Sequence, residues 1–374
     1  MTGGKGRTRY DVVLHSIHQA TEDGHGGNRR LSQVVALLRS SAATVTCSAD
    51  TFGGSLAHNL VSVARGALPS ARGAWGRFRS LRALRNSGAA HRLLDWTSIG
   101  SSTLLVFDSF LRGYEPVFAR ARAAGARLAI FPQNLDSLTA DSIDPLTSKR
   151  APTWFHEELD VLRKADVVAC LSREDQWLLS LYGIASFYLP YYPLPSLRKE
   201  LHGIRMLRAG IRKDRFVILG SAVNRPTLDG MKELLERSVA LTAAAGACEV
   251  VLVGFGTERL RAADVSRRIR VLGGVSNEVM QEQLVSARAV ICCQTGTTGA
   301  LTRIPELLCA GVPVIATYTA ARSYFHLDGV HVAETIDDLC RLARDFLCME
   351  PTTPAPPTQY EAAVLNAIEG LWSS

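Results

Sequence analysis

The alternation of apolar and polar positions in the first half of the chain predicts strands that alternate with helices. Short runs such as Thr103–Phe107 and Arg127–Phe131 are apolar at successive positions, and Glu115–Ala124 has a helical repeat between them. Continuous apolar runs are typical of parallel strands whose two faces are both covered by helices. The pattern therefore predicts an α/β fold built on a parallel sheet.

A second series of the same kind follows a proline-rich segment, Tyr188–Pro195, which cannot continue a helix or a central strand. Strands are predicted at Phe216–Leu219, Glu249–Val253, Ile269–Leu272, Ala289–Cys293 and Val312–Ala316. Helices are predicted at Leu228–Ala245, Asn277–Ala287, Leu301–Ala310 and Tyr360–Leu371. Two successive doubly wound units would leave a cleft between them, and ligands of such sheets lie at the carboxyl ends of the strands.

Composition and charge narrow the class of protein. The chain has 374 residues, of which 47% are hydrophobic and 21% are charged, as expected for two soluble domains. The net charge of +7 suits an anionic partner such as a nucleotide diphosphate or a membrane surface. We do not expect a nucleic-acid partner, because zinc-ligand spacings, RNA-binding aromatic motifs and basic tails are missing from the sequence. Eight scattered cysteines predict reduced thiols and a cytoplasmic location, without a leader or a membrane span. The Arg- and Ala-rich composition hints at a bacterial source.

The most informative stretch joins a buried strand to a helix in the second series. Thr295–Gly299 is a loop of small residues, including Thr298, whose backbone N–H groups can approach an anion closely. Arg303 follows about one turn into the helix, where its guanidinium can bond a phosphate. Glu306 lies on the same helix face, where its carboxylate can accept hydrogen bonds from the vicinal diol of a ribose. This spacing predicts a nucleotide site.

The run Arg303–Thr317 resembles the donor-site signature of the family-4-like GT-B glycosyltransferases, the glycosyl transferases group 1. In that signature a Lys or Arg precedes a Glu, and G-x-P-V-[IV]-A-T follows. Gly254 lies in a segment that resembles the strand and glycine turn before the nucleotide base, and Val275 lies in a segment whose backbone usually pairs with the base. Gly26 and Gly27 resemble the glycine loop near the amino terminus of the family.

The resemblance implies a fold of two Rossmann-like, doubly wound domains facing a cleft, with a carboxyl-terminal helix that crosses back to the first domain. Residues 1–192, with 358–374, would form the acceptor domain, and residues 196–350 would form the nucleotide-sugar donor domain. Two positions depart from the family pattern. Thr298 occupies the place of a second glutamate, and Ser221 stands near the place of an arginine that often follows the first strand of the donor domain. Arg225 is the residue that could serve as the lysine found a few residues later in the family.

The acceptor side needs a base if the transfer inverts the sugar configuration. Candidates at the ends of predicted strands are His18, Asp108 and Asp136. A retaining enzyme needs no such base, so the sequence leaves the stereochemistry open.

The segment 65–92 is rich in arginine and contains no acidic residue. Its apolar residues recur at nearly helical spacing, which is typical of a basic amphipathic helix that lies on an anionic membrane. The alternative is a helix of the acceptor domain that packs its apolar side inward. The sequence does not decide between the two.

These observations predict an enzyme that moves a sugar from a nucleotide-diphosphate sugar, with a UDP-sugar favoured, to a hydroxyl of a sugar, a lipid-linked or a small-molecule acceptor. No other cofactor and no essential metal are expected, because the sequence shows no acidic metal-binding cluster. Two alternatives stay open: a catalytically silent nucleotide-binding or partner subunit, and a nucleotide-sugar epimerase on the same fold.

Overall fold

The computed structural model describes residues 10–16, 18–21, 25–47, 98–108, 115–139, 154–296 and 299–373. These residues form two compact units. The first comprises residues 1–191 and 359–374, and the second comprises residues 192–358. Each unit is a parallel sheet with helices, as the apolar runs predict.

The first sheet has the order β2-β1-β3-β4-β5-β6, and its strands pair in parallel. Its strands are β1 Asp11–His15, β2 Thr44–Cys47, β3 Thr103–Phe107, β4 Arg127–Ile130, β5 Val167–Cys170 and β6 Phe187–Tyr188. Its helices are α1 Gly26–Arg39, α2 Glu115–Ala123, α3 Phe155–Leu162, α4 Arg173–Leu181 and α12 Glu361–Gly370, the last from the end of the chain. The chain order reverses between β1 and β3, which makes that pair the topological switch point of the sheet.

The second sheet has the order β12-β11-β10-β7-β8-β9, again with parallel pairs. Its strands are β7 Arg215–Leu219, β8 Glu249–Val253, β9 Arg270–Gly273, β10 Ala287–Cys292, β11 Val314–Thr317 and β12 Val330–Ala333. Its helices are α5 Pro195–Arg208, α6 Arg225–Glu236, α7 Ser238–Ala244, α8 Asn277–Ser286, α9 Arg303–Cys309, α10 Tyr318–Ala321 and α11 Ile336–Cys348. Its switch point lies between β7 and β10.

Alternation along the strands explains why each sheet carries apolar side chains on both faces. In β3, Leu105 and Phe107 belong to one buried cluster, whereas Leu104 and Val106 belong to the cluster on the other face. Because successive strand residues point to opposite faces, an uninterrupted apolar run fills both layers. The second of these clusters includes Val364 and Ile368 of α12, so the last helix packs on the first sheet. This confirms the helix that the family resemblance implies.

Several element boundaries differ from the sequence expectations. Strand β1 ends at His15, earlier than expected. Helix α1 already begins at Gly26, because the His25 side chain accepts a hydrogen bond from the Gly27 backbone amide and caps the helix. The helix expected over Leu228–Ala245 is two helices, which meet at Arg237. The linker is shorter than expected, since Pro195 occupies the first turn of α5, where its missing amide hydrogen costs nothing.

Candidate functional site

The carboxyl ends of β7, β8 and β10 hold the residues that the second-half motifs single out, and we call this the β7 edge. Gly220 follows directly after β7. A side chain here would place a Cβ 2.5 Å from Thr227 Cγ2 and 2.6 Å from an Arg303 guanidinium nitrogen, so only glycine lets these groups meet. The backbone amide of Thr295, beyond β10, donates to the Pro226 carbonyl over 3.0 Å. The start of α6 and the end of β10 therefore converge on Gly220.

Arg303 is the first residue of α9, and its side chain reaches back to the end of β7. Its guanidinium donates a 2.7 Å hydrogen bond to the carbonyl oxygen of Leu219. Arg303 is half-buried, so this bond fixes part of a positive charge at the switch point of the second sheet. Helix N-termini and guanidinium groups at such points are favourable places for phosphate.

Glu306 lies three residues after Arg303 and is half-buried, while Ile304, Pro305 and Leu307 around it are buried. An ionised carboxylate among apolar neighbours needs polar partners to remain stable. Its charge is felt locally, because it adds to the burial that raises the pKa of the Cys309 thiol. The helix therefore presents Arg303 and Glu306 within one turn, as the spacing predicts.

The small-residue loop before α9 is only partly within the described residues, since Thr298 lies outside them. Gly299 has a φ of +74°, a left-handed conformation that suits glycine. The helix begins at Arg303, two residues later than the sequence expectation, and Thr302 before it has a helical backbone without a side-chain cap. Gly299 therefore lies in the approach to the helix and not in its first turn.

Arg225 begins α6 at the β7 edge. Asn224 caps this helix by accepting a 3.2 Å hydrogen bond from the Thr227 amide. The Arg225 side chain is 79% exposed and forms an ion pair of 2.5 Å with Asp229. An exposed pair of this kind contributes about 0–1 kcal/mol, so the guanidinium remains able to exchange its partner for a bound anion.

The turn after β8 also contributes to the β7 edge. Gly254 has a φ of +141°, and a Cβ at this position would lie 1.8 Å from the carbonyl oxygen of Gly220. The turns after β7 and β8 therefore touch through their backbones. Val275, after β9, is half-buried and packs against the apolar layer on that side of the sheet.

Sequence reasoning missed Phe255, which follows Gly254. Its side chain is 71% exposed, and its ring edge comes to 3.7 Å from where a Cβ of Gly274 would lie. Val223, in the turn after β7, is exposed as well. An exposed aromatic ring at a ligand-binding edge is a ready stacking surface. The signal in the sequence was a large aromatic residue held between two glycines.

In the first unit, Asp108 lies just after β3, at the switch point with β1. It is fully buried, and one of its oxygens accepts hydrogen bonds from Ser16 Oγ over 2.9 Å and from Gln133 Nε2 over 3.0 Å. Its other oxygen has no partner among the described residues. Burial raises the pKa of Asp108 to about 7, although Ser16, the Arg30 charge and Gln133 act in the opposite direction.

His18 joins the same hydrogen-bonded network through its backbone. Its amide donates to Ser16 Oγ over 3.0 Å, and its ring lies 5.2 Å from the His25 ring, centroid to centroid. A Cβ on Gly27 would come to 2.8 Å from His18 Cε1, so the histidine covers the first turn of α1. The structure thus brings His18, Gly26–Gly27 and Asp108 to one edge of the first sheet.

Asp136 belongs to a different group of bonds among the described residues. Its backbone amide and that of Ser137 donate to the Glu158 carboxylate over 2.8 and 3.1 Å, and the Ser137 hydroxyl bonds the same group. Burial raises the pKa of Asp136 well above its ordinary value, and the Glu158 and Asp175 charges add to this rise. Burial likewise raises the pKa of Glu158, to about 7. Sequence reasoning did not single out Glu158, whose position on α3 gave no sign of this contact.

The basic segment 65–92 lies outside the described residues. Among the helices that the structure does describe, none combines the length and the apolar character required to cross a bilayer.

Comparisons with known proteins agree with this architecture. Residues 213–347 match the family model for glycosyl transferases group 1. A comparison with curated protein sequences gave no match. Among solved structures, the lipopolysaccharide glycosyltransferase WaaG superposes with a TM-score of 0.52 at 11% identity, over 97% of this chain and 95% of that one.

Two further structures are similar. An E. coli structure described as trehalose-6-phosphate bound with UDP-2-fluoro glucose has a TM-score of 0.52 at 12% identity, over 96% of both chains. TarM has a TM-score of 0.47 at 12% identity and is matched over 77% of this chain, which spans 58% of the length of TarM. The two superpositions over nearly whole chains show the GT-B fold. They confirm the expected fold, and the match of residues 213–347 confirms the expected family resemblance.

Proposed function

We propose that this chain, whose residues 213–347 form a glycosyl transferases group 1 domain, transfers a sugar from a nucleotide-diphosphate sugar to an acceptor hydroxyl. The observation that carries the proposal is the Arg303 guanidinium bonded to the end of β7, with Glu306 one turn further along α9. These two side chains offer a cation for a phosphate and a carboxylate for a ribose diol at the switch point of the sheet.

The donor occupies the β7 edge in this proposal. Arg303 and Arg225 face the diphosphate, Glu306 accepts hydrogen bonds from the ribose, and the base lies near Val275 and Phe255. A UDP-sugar is the favoured donor, since the similar E. coli structure is described as bound with UDP-2-fluoro glucose. The contact made by Thr298 stays a prediction from the sequence.

The chemistry follows from the charge that develops on the leaving group. When the bond between the anomeric carbon and the diphosphate oxygen breaks, its electron pair leaves with the diphosphate. Cationic groups already held in place stabilise that charge without reorganising. Arg303 meets this condition because Leu219 holds it. We therefore propose that the enzyme needs no resident metal ion.

The first unit supplies the acceptor side. His18 is half-buried, whereas Asp108 is fully buried, so we assign the contact with the acceptor hydroxyl to His18. Asp108 would hold the His18 segment in place through Ser16, and Asp136 is the third candidate base. The acceptor is a sugar, lipid-linked or small-molecule hydroxyl, and segment 65–92 is the candidate for contact with a membrane.

The test is calorimetric titration of the purified protein with UDP. Glu306→Ala should weaken binding by about 1.5–3 kcal/mol, the magnitude of a lost hydrogen bond to a charged group. Glu236→Ala, which removes an exposed carboxylate at the other end of α6, is the matched control and should bind as the wild type does. Equal affinity of a folded Glu306→Ala protein would refute the assignment of the ribose site.

A second measurement separates the enzyme from its alternatives. The wild-type protein is incubated with UDP-glucose and other common nucleotide sugars, and slow release of UDP is followed. Release supports a transferase, because water can replace the acceptor. Nucleotide binding without any release indicates a silent partner subunit, and conversion of the donor without release indicates an epimerase.

A further inference from the structure

The second unit contains a cavity of about 510 Å³ at the edge opposite the β7 edge. It lies at the starts of β7, β8 and β10, whereas the nucleotide-binding residues lie at the ends of these strands. We call it the basic cavity, because its lining includes four cationic side chains and one carboxylate. These are Arg208, Arg212, Lys213, Arg288 and Asp214.

Arg208 is the most deeply buried of the cations, with 3% of its surface exposed. Its guanidinium donates to the carbonyl oxygens of Gly311 and Ala287 over 2.9 Å each, and to that of Leu284. Among the described residues it forms no ion pair with a carboxylate. Buried charges are ordinarily paired, so this cation is solvated by carbonyl dipoles but is not neutralised.

Lys213 and Arg288 add charge that is likewise bonded only to carbonyl groups. The Lys213 ammonium donates to the Ile211 carbonyl over 2.6 Å, and Arg288 donates to the Met349 carbonyl over 2.6 Å at the end of α11. Burial and the neighbouring Arg208 charge lower the pKa of Lys213, while the charge of Asp214 acts in the opposite direction. Burial, with the charge of Arg205, lowers the pKa of Arg208 to about 10. Burial is the main cause of both shifts, and the neighbouring cations add to it.

The remaining two charged groups complete the lining. Arg212 is an exposed residue of the lining, and its side chain has neither an ion pair nor a hydrogen bond within the part of the chain that the structure describes. Asp214 is the one carboxylate of the lining, and its nearest cation is Arg215, with Nε at 3.7 Å. The lining of the cavity therefore has an excess of positive charge and includes one exposed cationic side chain.

We propose that the basic cavity binds a multivalent phosphate anion, either a free phosphorylated compound or the phosphate headgroup of a lipid. The anion supplies a counter-charge for Arg208 and Arg288, which form no ion pair among the described residues, and Lys213 and Arg212 add further positive charge to the same lining. Guanidinium and ammonium groups that converge on one volume recognise phosphate by charge-assisted hydrogen bonds. This site goes beyond the proposed function, because it lies at the opposite edge of the sheet and takes no part in donor binding.

The test is calorimetric titration with inorganic pyrophosphate in an Arg303→Ala background, which weakens the competing diphosphate site at the β7 edge. Arg212→Glu should weaken pyrophosphate binding by about tenfold or more, because it replaces an attractive charge by a repulsive one. Asp214→Asn should tighten binding by about fivefold, because it removes a like charge from the lining. A gain of affinity is a result that a purely structural role of these residues would not produce.

Arg268→Glu is the matched control, since it makes the same charge reversal at an exposed position elsewhere in the unit. If Arg268→Glu and Arg212→Glu weaken pyrophosphate binding equally, or if pyrophosphate does not bind at all, a free phosphorylated compound is ruled out. The proposal is then overturned unless Arg212→Glu abolishes retention on acidic vesicles. UDP affinity of Arg212→Glu in the otherwise wild-type chain is measured separately. It should be unchanged, so failure at one site is distinguished from failure at the other.

A sedimentation assay separates the two sources of phosphate. Vesicles of phosphatidylcholine alone are compared with vesicles that also contain phosphatidic acid. If the protein is retained on the acidic vesicles and Arg212→Glu abolishes this retention, the ligand is a lipid headgroup. If pyrophosphate binds but the protein is not retained, the ligand is a free phosphorylated compound. If the protein neither binds pyrophosphate nor is retained on the acidic vesicles, the proposal is overturned.

Discussion

The Arg303 guanidinium and the Leu219 carbonyl oxygen are joined by a 2.7 Å hydrogen bond that ties the start of α9 to the end of β7. Because these elements are far apart in the sequence, the bond positions the cation through the fold and not through the local helix. A guanidinium held in this way costs little reorganisation when an anion arrives. The relationship explains why an arginine at this position can serve both the fold and the ligand.

Replacing Arg303 should therefore affect nucleotide binding strongly. We expect Arg303→Ala to weaken UDP binding by about 1.5–3 kcal/mol. Arg303→Lys should recover only part of the loss, because an ammonium cannot bond the Leu219 carbonyl and a phosphate with the same planar geometry. Calorimetry with UDP measures both, and Arg341→Ala, at an exposed position of α11, is the control. Full recovery in Arg303→Lys would contradict the proposed geometry.

The exposed ring of Phe255 should contribute stacking energy to the nucleobase. We expect Phe255→Ala to weaken UDP binding by about 1–3 kcal/mol, the range measured for a base stacked on an aromatic side chain. Trp177→Ala is a suitable control, because that ring is similarly exposed, at 67%, but belongs to the first unit. Ribose 5-phosphate has no base, so its affinity should not change in Phe255→Ala. If Phe255→Ala weakens its binding as much as that of UDP, the ring contacts some other part of the nucleotide.

The close contact between Gly254 and Gly220 should make Gly254 intolerant of any side chain. We expect Gly254→Ala to lower the free energy of unfolding by roughly 2–5 kcal/mol, since it combines a steric clash with an unfavourable backbone conformation. Gly296→Ala is the control. It shares a positive φ of +77° but has open space around its Cβ position, so it should lose only about 1–2 kcal/mol. Denaturant unfolding compares the two, and equal losses would show that the clash is relieved.

The buried Asp108 carboxyl should make stability depend on pH. Its pKa in the folded protein is about 7, above the ordinary value of 3.8. The favourable contribution of its protonated form is therefore fully present below pH 4 and is lost as the pH rises through 7. Asp108→Asn cannot ionise, so its stability relative to the wild type should rise across this range, by up to about 4 kcal/mol.

The informative quantity is how the difference in unfolding free energy between Asp108→Asn and the wild type changes with pH. Its absolute value is less informative, because the amide also changes the hydrogen bonds with Ser16 and Gln133. Unfolding by urea at several pH values between 4 and 8 gives the difference curve. Asp160→Asn, at an exposed position of α3, is measured alongside as the control for loss of a carboxylate. A flat curve for Asp108→Asn would show that this carboxyl is ionised throughout.

The proposed use of arginine side chains at the diphosphate predicts catalysis without a divalent ion. Release of UDP from the donor should keep its rate after exhaustive dialysis against EDTA, and added Mg²⁺ or Mn²⁺ should change it by less than about threefold. A larger loss that is restored by either ion would mean that the metal, and not Arg303 with Arg225, carries the leaving-group charge.

The sequence predicted the strands of the second unit well because their apolar runs are bounded by breakers, and β8 has the predicted bounds Glu249–Val253. It did not predict β12, whose residues are mostly half-exposed and whose pattern resembles a loop. The pair Gly26–Gly27 was expected in a glycine loop, but the two residues begin α1, where His25 caps the helix.

In the candidate site, too, the sequence predicted what lies within one element and missed what depends on contacts between elements. The Arg303 and Glu306 pair was visible because both residues lie on one short helix. The bonds that join Ser16, Gln133 and Asp108 were not visible, because they connect residues from three separate strand ends. Exposure of Phe255 also depends on tertiary packing, which no local pattern records.

The position of α12 has a consequence for synthesis of the chain. Val364 and Ile368 complete an apolar layer of the first unit, so that unit lacks part of its core until residues 361–370 have left the ribosome. The second unit is continuous over residues 192–358 and has all of its sequence earlier. Nascent chains usually complete their amino-terminal domain first. Here the second unit has all of its sequence before the first unit does. A polypeptide that is truncated before residue 361 therefore leaves the first unit with an exposed apolar face.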